Sequence, residues 1–203
     1  GTERDDIATG LPDTIDPQAL ATAEAYASKT NAVALLVYHR GALRYEKYWP
    51  GFDRNFRTDP FSAHKTVMGL LVGAAIQDGL IKSVAEPAAT YLPEWRNDER
   101  AKIRIKDLLQ MSSGLELPVF GTWRGLRITF GSDLPPSVLG LQAAKPPGTD
   151  FQYSNANAQL LGIVLQNATG KRYAQYLSER LWSRIGAPAA SVWLDHEGGM
   201  PRT

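Results

Sequence analysis

A shortage of β-strand candidates constrains this chain more than any other feature. Ala32-Val-Ala-Leu-Leu-Val-Tyr38 is apolar and partly β-branched, Arg40-Gly41 is a turn signal, and Ala42-Leu-Arg-Tyr-Glu-Lys-Tyr-Trp49 alternates as a strand does; together they predict a β-hairpin. A hairpin alone is marginal and needs further strands before helices can cover it. After Trp49 the only other strand candidate is the short Ser191–Leu194. Either the fold is mainly helical, or these 203 residues belong to a longer chain that supplies the rest of the sheet.

Helix signals are plentiful. Asp16-Pro17 reads as an N-cap followed by Pro at the first helical position, predicting a helix to about Lys29. Ser62 to Gly79 carries apolar residues at Val67, Leu70, Leu71, Ala74 and Ala75, the spacing of a largely buried helix. Pro87 and Pro93 break up the next stretch, a short helix is predicted over Ile105–Met111, and two more close the chain at about Ala156–Thr169 and Tyr173–Ile185. Pro118–Lys145 is rich in Gly and Pro with scattered Phe120, Trp123, Ile128 and Phe130; it reads as an ordered surface excursion of the kind that carries binding residues.

Composition removes several function classes. Twenty-two Lys and Arg against 21 Asp and Glu leave a charge of +1, too balanced for the basic field that nucleic-acid binding needs. Zero cysteines exclude disulfides, thiolate metal sites and a cysteine nucleophile. His39, His64 and His196 have no ligand spacing, so neither a metal nor a cofactor is expected. The longest apolar run, Ala32–Val37, falls far short of the roughly 18 residues that cross a bilayer. The expectation is a soluble chain, periplasmic or cytoplasmic if bacterial, with no membrane partner and any leader already removed.

Two short motifs could carry chemistry. Ser62-Ala-His-Lys65 opens the predicted buried helix and sets a hydroxyl and an ammonium three residues apart, within mutual reach. The helix N-terminus also favours negative charge developing near Ser62. A serine hydroxyl needs a neighbour to take its proton, and Lys65 can do so only in its neutral form. Of 11 serines only Ser62 has Lys three residues on. Read alone, Ser62 could equally be an N-cap and Lys65 a solvated first-turn residue. Tyr153-Ser-Asn155 lies 91 residues later, after Pro146-Pro-Gly-Thr149 and before a helix. A Tyr beside a Lys ionises more easily, and its phenolate is a competent general base. Asn155 can hold a substrate carbonyl or amide, or simply cap the following helix.

Together the motifs resemble the serine β-lactamase and penicillin-recognising superfamily, in its class C β-lactamase-like branch with Ser-x-x-Lys and Tyr-x-Asn. Phe61-Ser-Ala-His-Lys-Thr66, Leu70-Leu-Val-Gly73, Tyr91-Leu-Pro93, Leu108-Leu-Gln-Met-Ser-Ser-Gly-Leu115, Pro147-Gly-Thr-Asp-Phe-Gln-Tyr-Ser-Asn155, Leu160-Leu-Gly162 and Thr169-Gly170 follow the order of that family. Asp195-His-Glu-Gly-Gly-Met-Pro201 is most similar to its esterase and 6-aminohexanoate-dimer hydrolase group. One departure is His64, where the family usually has a small residue.

The resemblance implies an α+β, sandwich-like fold, an antiparallel sheet flanked by helices with a mostly helical subdomain, its sheet incomplete here. Residues 1–203 would be the N-terminal portion of one catalytic domain. Within it, 16–82 would hold the first helix, the hairpin and the nucleophile helix, 83–170 a helical and loop subdomain with Tyr-x-Asn, and 171–203 the start of a return to the sheet. The third motif, a Lys-Thr-Gly-like strand, and a second oxyanion donor would come from a further segment, covalent or a second chain. The implied activity is acyl-enzyme hydrolysis of short esters or linear amides. Ser62 would be nucleophile and, through its backbone N–H, oxyanion donor; Lys65 and Tyr153 would transfer protons; Asn155 would contact a small-molecule substrate, and so, from the Gly/Pro-rich excursion itself, would Trp123, which with Phe130 suggests a partly aromatic cleft wall without concentrated charge. β-Lactamase or D-Ala-D-Ala carboxypeptidase activity is the alternative, and a catalytically inactive binding protein the rival of another class.

Overall fold

The computed structural model describes residues 15–119, 121–187 and 189–202, which form two compact units divided between Asp59 and Pro60. In the first, Asp16 caps α1 (Pro17–Lys29) through its carboxylate, which accepts from the N–H of Gln18 at 2.9 Å. The hairpin pairs β1 (Ala34–His39) antiparallel with β2 (Ala42–Tyr48), irregular in register between Val37 and Tyr38. Arg40 and Gly41 both adopt positive φ, the geometry of the tight turn that matches strand twist. Glu24 of α1 accepts from the Tyr45 hydroxyl at 2.5 Å and pairs with Lys47, joining helix to hairpin.

The second unit is helical. A 3₁₀ turn, Phe61–Ala63, leads into α2 (His64–Gln77), followed by α3 (Ile105–Leu109), α4 (Trp123–Phe130), α5 (Leu134–Leu139), α6 (Asn155–Thr169) and α7 (Tyr173–Leu177). Its core is the packing of α2 on α6. Met68, Leu71, Val72 and Ala75 face Leu160, Leu161, Val164 and Leu165, all buried, and each large side chain so removed from water stabilises the fold by about 1.5–3 kcal/mol. Trp95 is wholly buried, its indole N–H donating to the Leu139 carbonyl at 3.1 Å. Beside it the nearly buried Arg100 is neutralised by Asp98 and donates to the carbonyls of Leu139 and Leu141. The result is helix-rich with one open two-stranded antiparallel sheet among the described residues, an α+β architecture.

Three expectations need correction. Pro118–Lys145 is not merely a surface excursion but contains α4 and α5, and it contributes Ile128, Leu134, Val138 and Leu141 to the interior. The prolines do not oppose α5, since Pro135 and Pro136 sit in its first turn, where no intrahelical N–H is needed. Phe120 lies outside the described residues. Ser191–Leu194 makes no strand, only a bridge between Leu194 and Pro201. The predicted Tyr173–Ile185 helix is α-helical only to Leu177; Ser178–Trp182 widens to π geometry, with the Ser183 N–H donating to the Ser178 carbonyl at 3.1 Å. Among the described residues no helix is long and apolar enough to cross a membrane.

Candidate active site

The site is built from two backbone arrangements in the second unit. The first is the opening of α2. Phe61 sits in the left-handed region at φ 45°, which turns the chain sharply into the 3₁₀ turn and leaves the Ser62 side chain exposed. Left-handed backbone costs a non-glycine residue about 1–2 kcal/mol, and such strain concentrates at functional sites. Lys65 follows one turn later, partly buried, and its Nζ donates to Ser62 Oγ at 3.2 Å.

The second is the extended stretch that enters α6. It is laced to the turn after α3: Gly148 N–H donates to the Ser112 carbonyl at 2.7 Å, Gln152 N–H to Met111 at 2.8 Å, and Ala144 and Lys145 N–H to Gly114 at 2.8 and 2.9 Å. Gly114 itself is left-handed, at φ 71°. Tyr153 therefore leaves a fixed backbone, and its hydroxyl lies 2.5 Å from Ser62 Oγ.

Ser62 Oγ is thus flanked by the Tyr153 hydroxyl and the Lys65 ammonium, and that ammonium lies 5.3 Å from the centre of the Tyr153 ring. The hydrogen bond from Ser62 holds the Tyr153 phenol below its ordinary value; partial burial opposes this and Lys65 assists it. The directions are chemically consistent. Lys65 can donate only, so the lone pairs of Oγ face the ammonium while its proton is free to point at the tyrosine oxygen. A phenolate there would receive the seryl proton without either heavy atom moving.

A cavity of about 280 Å³ adjoins this triad, lined by Tyr153, Ser154, Asn155 and Ala156 on one side and by Leu117–Val119 with Gly125, Ile128 and Thr129 on the other. No charged side chain lines it. Asn155 is exposed at its rim as the first residue of α6; the cap position belongs to Ser154.

The structure therefore brings Ser62, Lys65 and Tyr153 together and puts Asn155 beside them. Trp123 is a different case. The residue is 77% exposed and, like Phe130, is absent from the cavity lining, where α4 contributes Gly125, Ile128 and Thr129 and Tyr153 is the one aromatic side chain. Helical periodicity is the reason: Trp123 and Phe130, seven apart, share the outer face of α4, while Gly125 and Ile128 turn inward. His64, the departure from the family pattern, has a defined place. It points away from the reacting groups, as its position in the turn predicts, and its Nε2 lies 2.7 Å from the hydroxyl of the buried Tyr173. Among the described residues no group of three or more His, Asp or Glu is arranged to hold a metal ion.

The fold has counterparts among known proteins. The family described as Beta-lactamase matches residues 18–203. The 6-aminohexanoate-dimer hydrolase of Paenarthrobacter ureafaciens is 27% identical over 208 aligned positions, covering 96% of this chain and 50% of that protein. Protein flp of Staphylococcus aureus strain MW2 is 28% identical over 122 positions, 57% of this chain and 24% of that protein. Among solved structures, a Bacillus anthracis protein provisionally described as a 6-aminohexanoate-dimer hydrolase superposes with a TM-score of 0.73 at 23% identity, covering 91% of this chain and 53% of the other. A class C β-lactamase in complex with cefoxitin superposes with a TM-score of 0.67 at 20% identity, covering 85% and 51%. At these identities the structural likeness speaks to the fold. The chain spans about half the length, or less, of these relatives. With the family matched across nearly all of its length, the chain belongs to the Beta-lactamase family.

Proposed function

We propose that this protein is a serine hydrolase that forms an acyl-enzyme on Ser62 and cleaves short esters or linear amides. The observation that carries the reading is the placement of Ser62 Oγ between the Tyr153 hydroxyl at 2.5 Å and the Lys65 ammonium at 3.2 Å. Tyr153 as phenolate takes the Ser62 proton, Oγ adds to the carbonyl carbon, and Tyr153 returns the proton to the departing alkoxide or amine. Water then repeats the sequence, giving its proton to Tyr153 as it attacks the acyl-enzyme, and Ser62 is released with the acid product. Lys65 keeps the tyrosine acidic and stabilises negative charge throughout. The Ser62 backbone N–H serves as one oxyanion donor, and the second comes from a strand segment outside residues 1–203.

The cavity beside Tyr153, lined by no charged side chain, supports neutral substrates over strongly anionic ones. The relative that acts on the 6-aminohexanoate dimer, by its name, supports a linear amide among them. Rates on p-nitrophenyl butyrate, the 6-aminohexanoate linear dimer and a chromogenic cephalosporin rank the options. Hydrolysis of the ester or the linear amide in preference to the cephalosporin is the expected order, and a cephalosporin preference by orders of magnitude would reverse the reading towards a β-lactamase.

A further inference from the structure

The turn that carries the nucleophile is closed by backbone hydrogen bonds, Ala63 N–H donating to the Pro60 carbonyl at 3.0 Å. Neither the 3₁₀ turn nor α2 receives a side-chain cap: Pro60 and Ala63 occupy the two cap positions and neither offers an acceptor. Phe61 enters the turn in left-handed backbone, a conformation that the isolated segment would abandon. A tertiary contact adds to these bonds.

His64 lies within the Ser62–Lys65 motif, and its imidazole leaves on the opposite side from the reacting groups, about 200° around the helix from Ser62 and 100° from Lys65. Its Nε2 meets the Tyr173 hydroxyl at 2.7 Å, and the two rings lie 5.6 Å apart, tilted. Tyr173 is a rigid anchor. Its ring belongs to the buried core, it is the first residue of α7, and its N–H donates to the side-chain carbonyl of Gln166 on α6 at 3.3 Å. Burial drives its phenol upward, so the hydroxyl stays protonated and shares a hydrogen bond with the imidazole.

We propose that His64 and Tyr173 are positioning residues, a strut from the α6–α7 core to the first turn of α2 that keeps Ser62 Oγ and Lys65 Nζ in register with Tyr153. The role rests on the acyl-enzyme reading. Rotation of this turn moves Oγ and Nζ together, and displacement of reacting groups by an ångström is enough to cost large factors in rate. Neither residue touches the substrate, so binding should be spared.

Tyr173→Phe removes the hydroxyl and keeps the buried ring; His64→Leu removes the imidazole partner at similar volume; His64→Gln restores a side chain able to hydrogen-bond. Acylation of the full chain by a p-nitrophenyl ester and by a fluorophosphonate is followed across pH. Tyr173→Phe and His64→Leu should each lower kcat about tenfold with KM within twofold, the loss of one part-buried hydrogen bond seen at the reacting centre. The double variant should be no worse than either single variant, and His64→Gln should recover most of the rate. A pH signature should accompany them: the groups facing Tyr153 are the Ser62 hydroxyl and the Lys65 ammonium, so loosening the turn should move the rising limb of the rate profile to higher pH. A parent protein that acylates while both variants keep pace with it overturns the strut, as does a loss confined to KM. A parent that is not acylated at all removes the acyl-enzyme reading, and the strut with it.

Discussion

Replacing Gly114 by Ala tests how Tyr153 is held. Gly114 is left-handed at φ 71°, a conformation that costs a residue with a Cβ about 1–2 kcal/mol. An added Cβ would stand 2.2 Å from the Lys145 carbonyl oxygen and 3.1 Å from that of Pro146, where ordinary contact begins at 3.4 Å. Both obstacles are backbone, so the two segments must part by roughly an ångström. The hydrogen bonds that Ala144 and Lys145 donate to Gly114 at 2.8 and 2.9 Å then break, each worth about 0.5–1.5 kcal/mol. The expected loss of stability is about 2–5 kcal/mol. Gly170 supplies the control: it has φ 65° at the end of α6 with nothing within 4 Å, so Gly170→Ala carries only the conformational cost of about 1–2 kcal/mol. Urea unfolding of both variants isolates the steric part. Activity should follow in Gly114→Ala alone, because the same lacing continues through Gly148 and Gln152 to Tyr153. If Gly114→Ala is no more destabilising than Gly170→Ala, the claim that this contact positions the Tyr153 segment is wrong.

Two further outcomes concern the proton-transfer unit. Lys65→Ala, Tyr153→Phe and the double variant should lose similar activity, since groups acting as a unit show grossly non-additive losses; losses that add in log rate would assign them separate roles. Because Tyr153 is held below its ordinary value and works as the base, activity should rise with pH on a limb whose midpoint lies under 10, and Lys65→Met should move that limb upward; a limb at or above 10 in the parent would contradict the proposed base.

The legible parts of the molecule were those whose signals are local. Asp16-Pro17 marked α1 to the residue, the Arg40-Gly41 turn marked the hairpin, and Ser62 and Lys65 are neighbours by helical geometry alone. Tyr153 could be joined to them only through the resemblance, since 91 residues separate it from Ser62 and no local rule spans that distance. The α4 and α5 helices were hidden because Gly and Pro read as breakers, although Thr122 capping Gly125 and the first-turn prolines of α5 are helix-start signals in their own right. The inward face of α4, which brings Gly125, Ile128 and Thr129 to the cavity, is hidden behind the larger Trp123 and Phe130, which helical spacing puts outside. The Tyr173–His64 contact joins residues 109 apart and has no sequence signature.

The chemistry is tested most directly by intact-mass spectrometry of the protein after incubation with a fluorophosphonate, with peptide mapping of the adduct. The expected result is a single added phosphonyl group on Ser62, formed slowly in Tyr153→Phe and absent in Ser62→Ala. An adduct that persists in Ser62→Ala, or that maps to another of the 11 serines, would remove Ser62 from the chemistry and contradict the central claim.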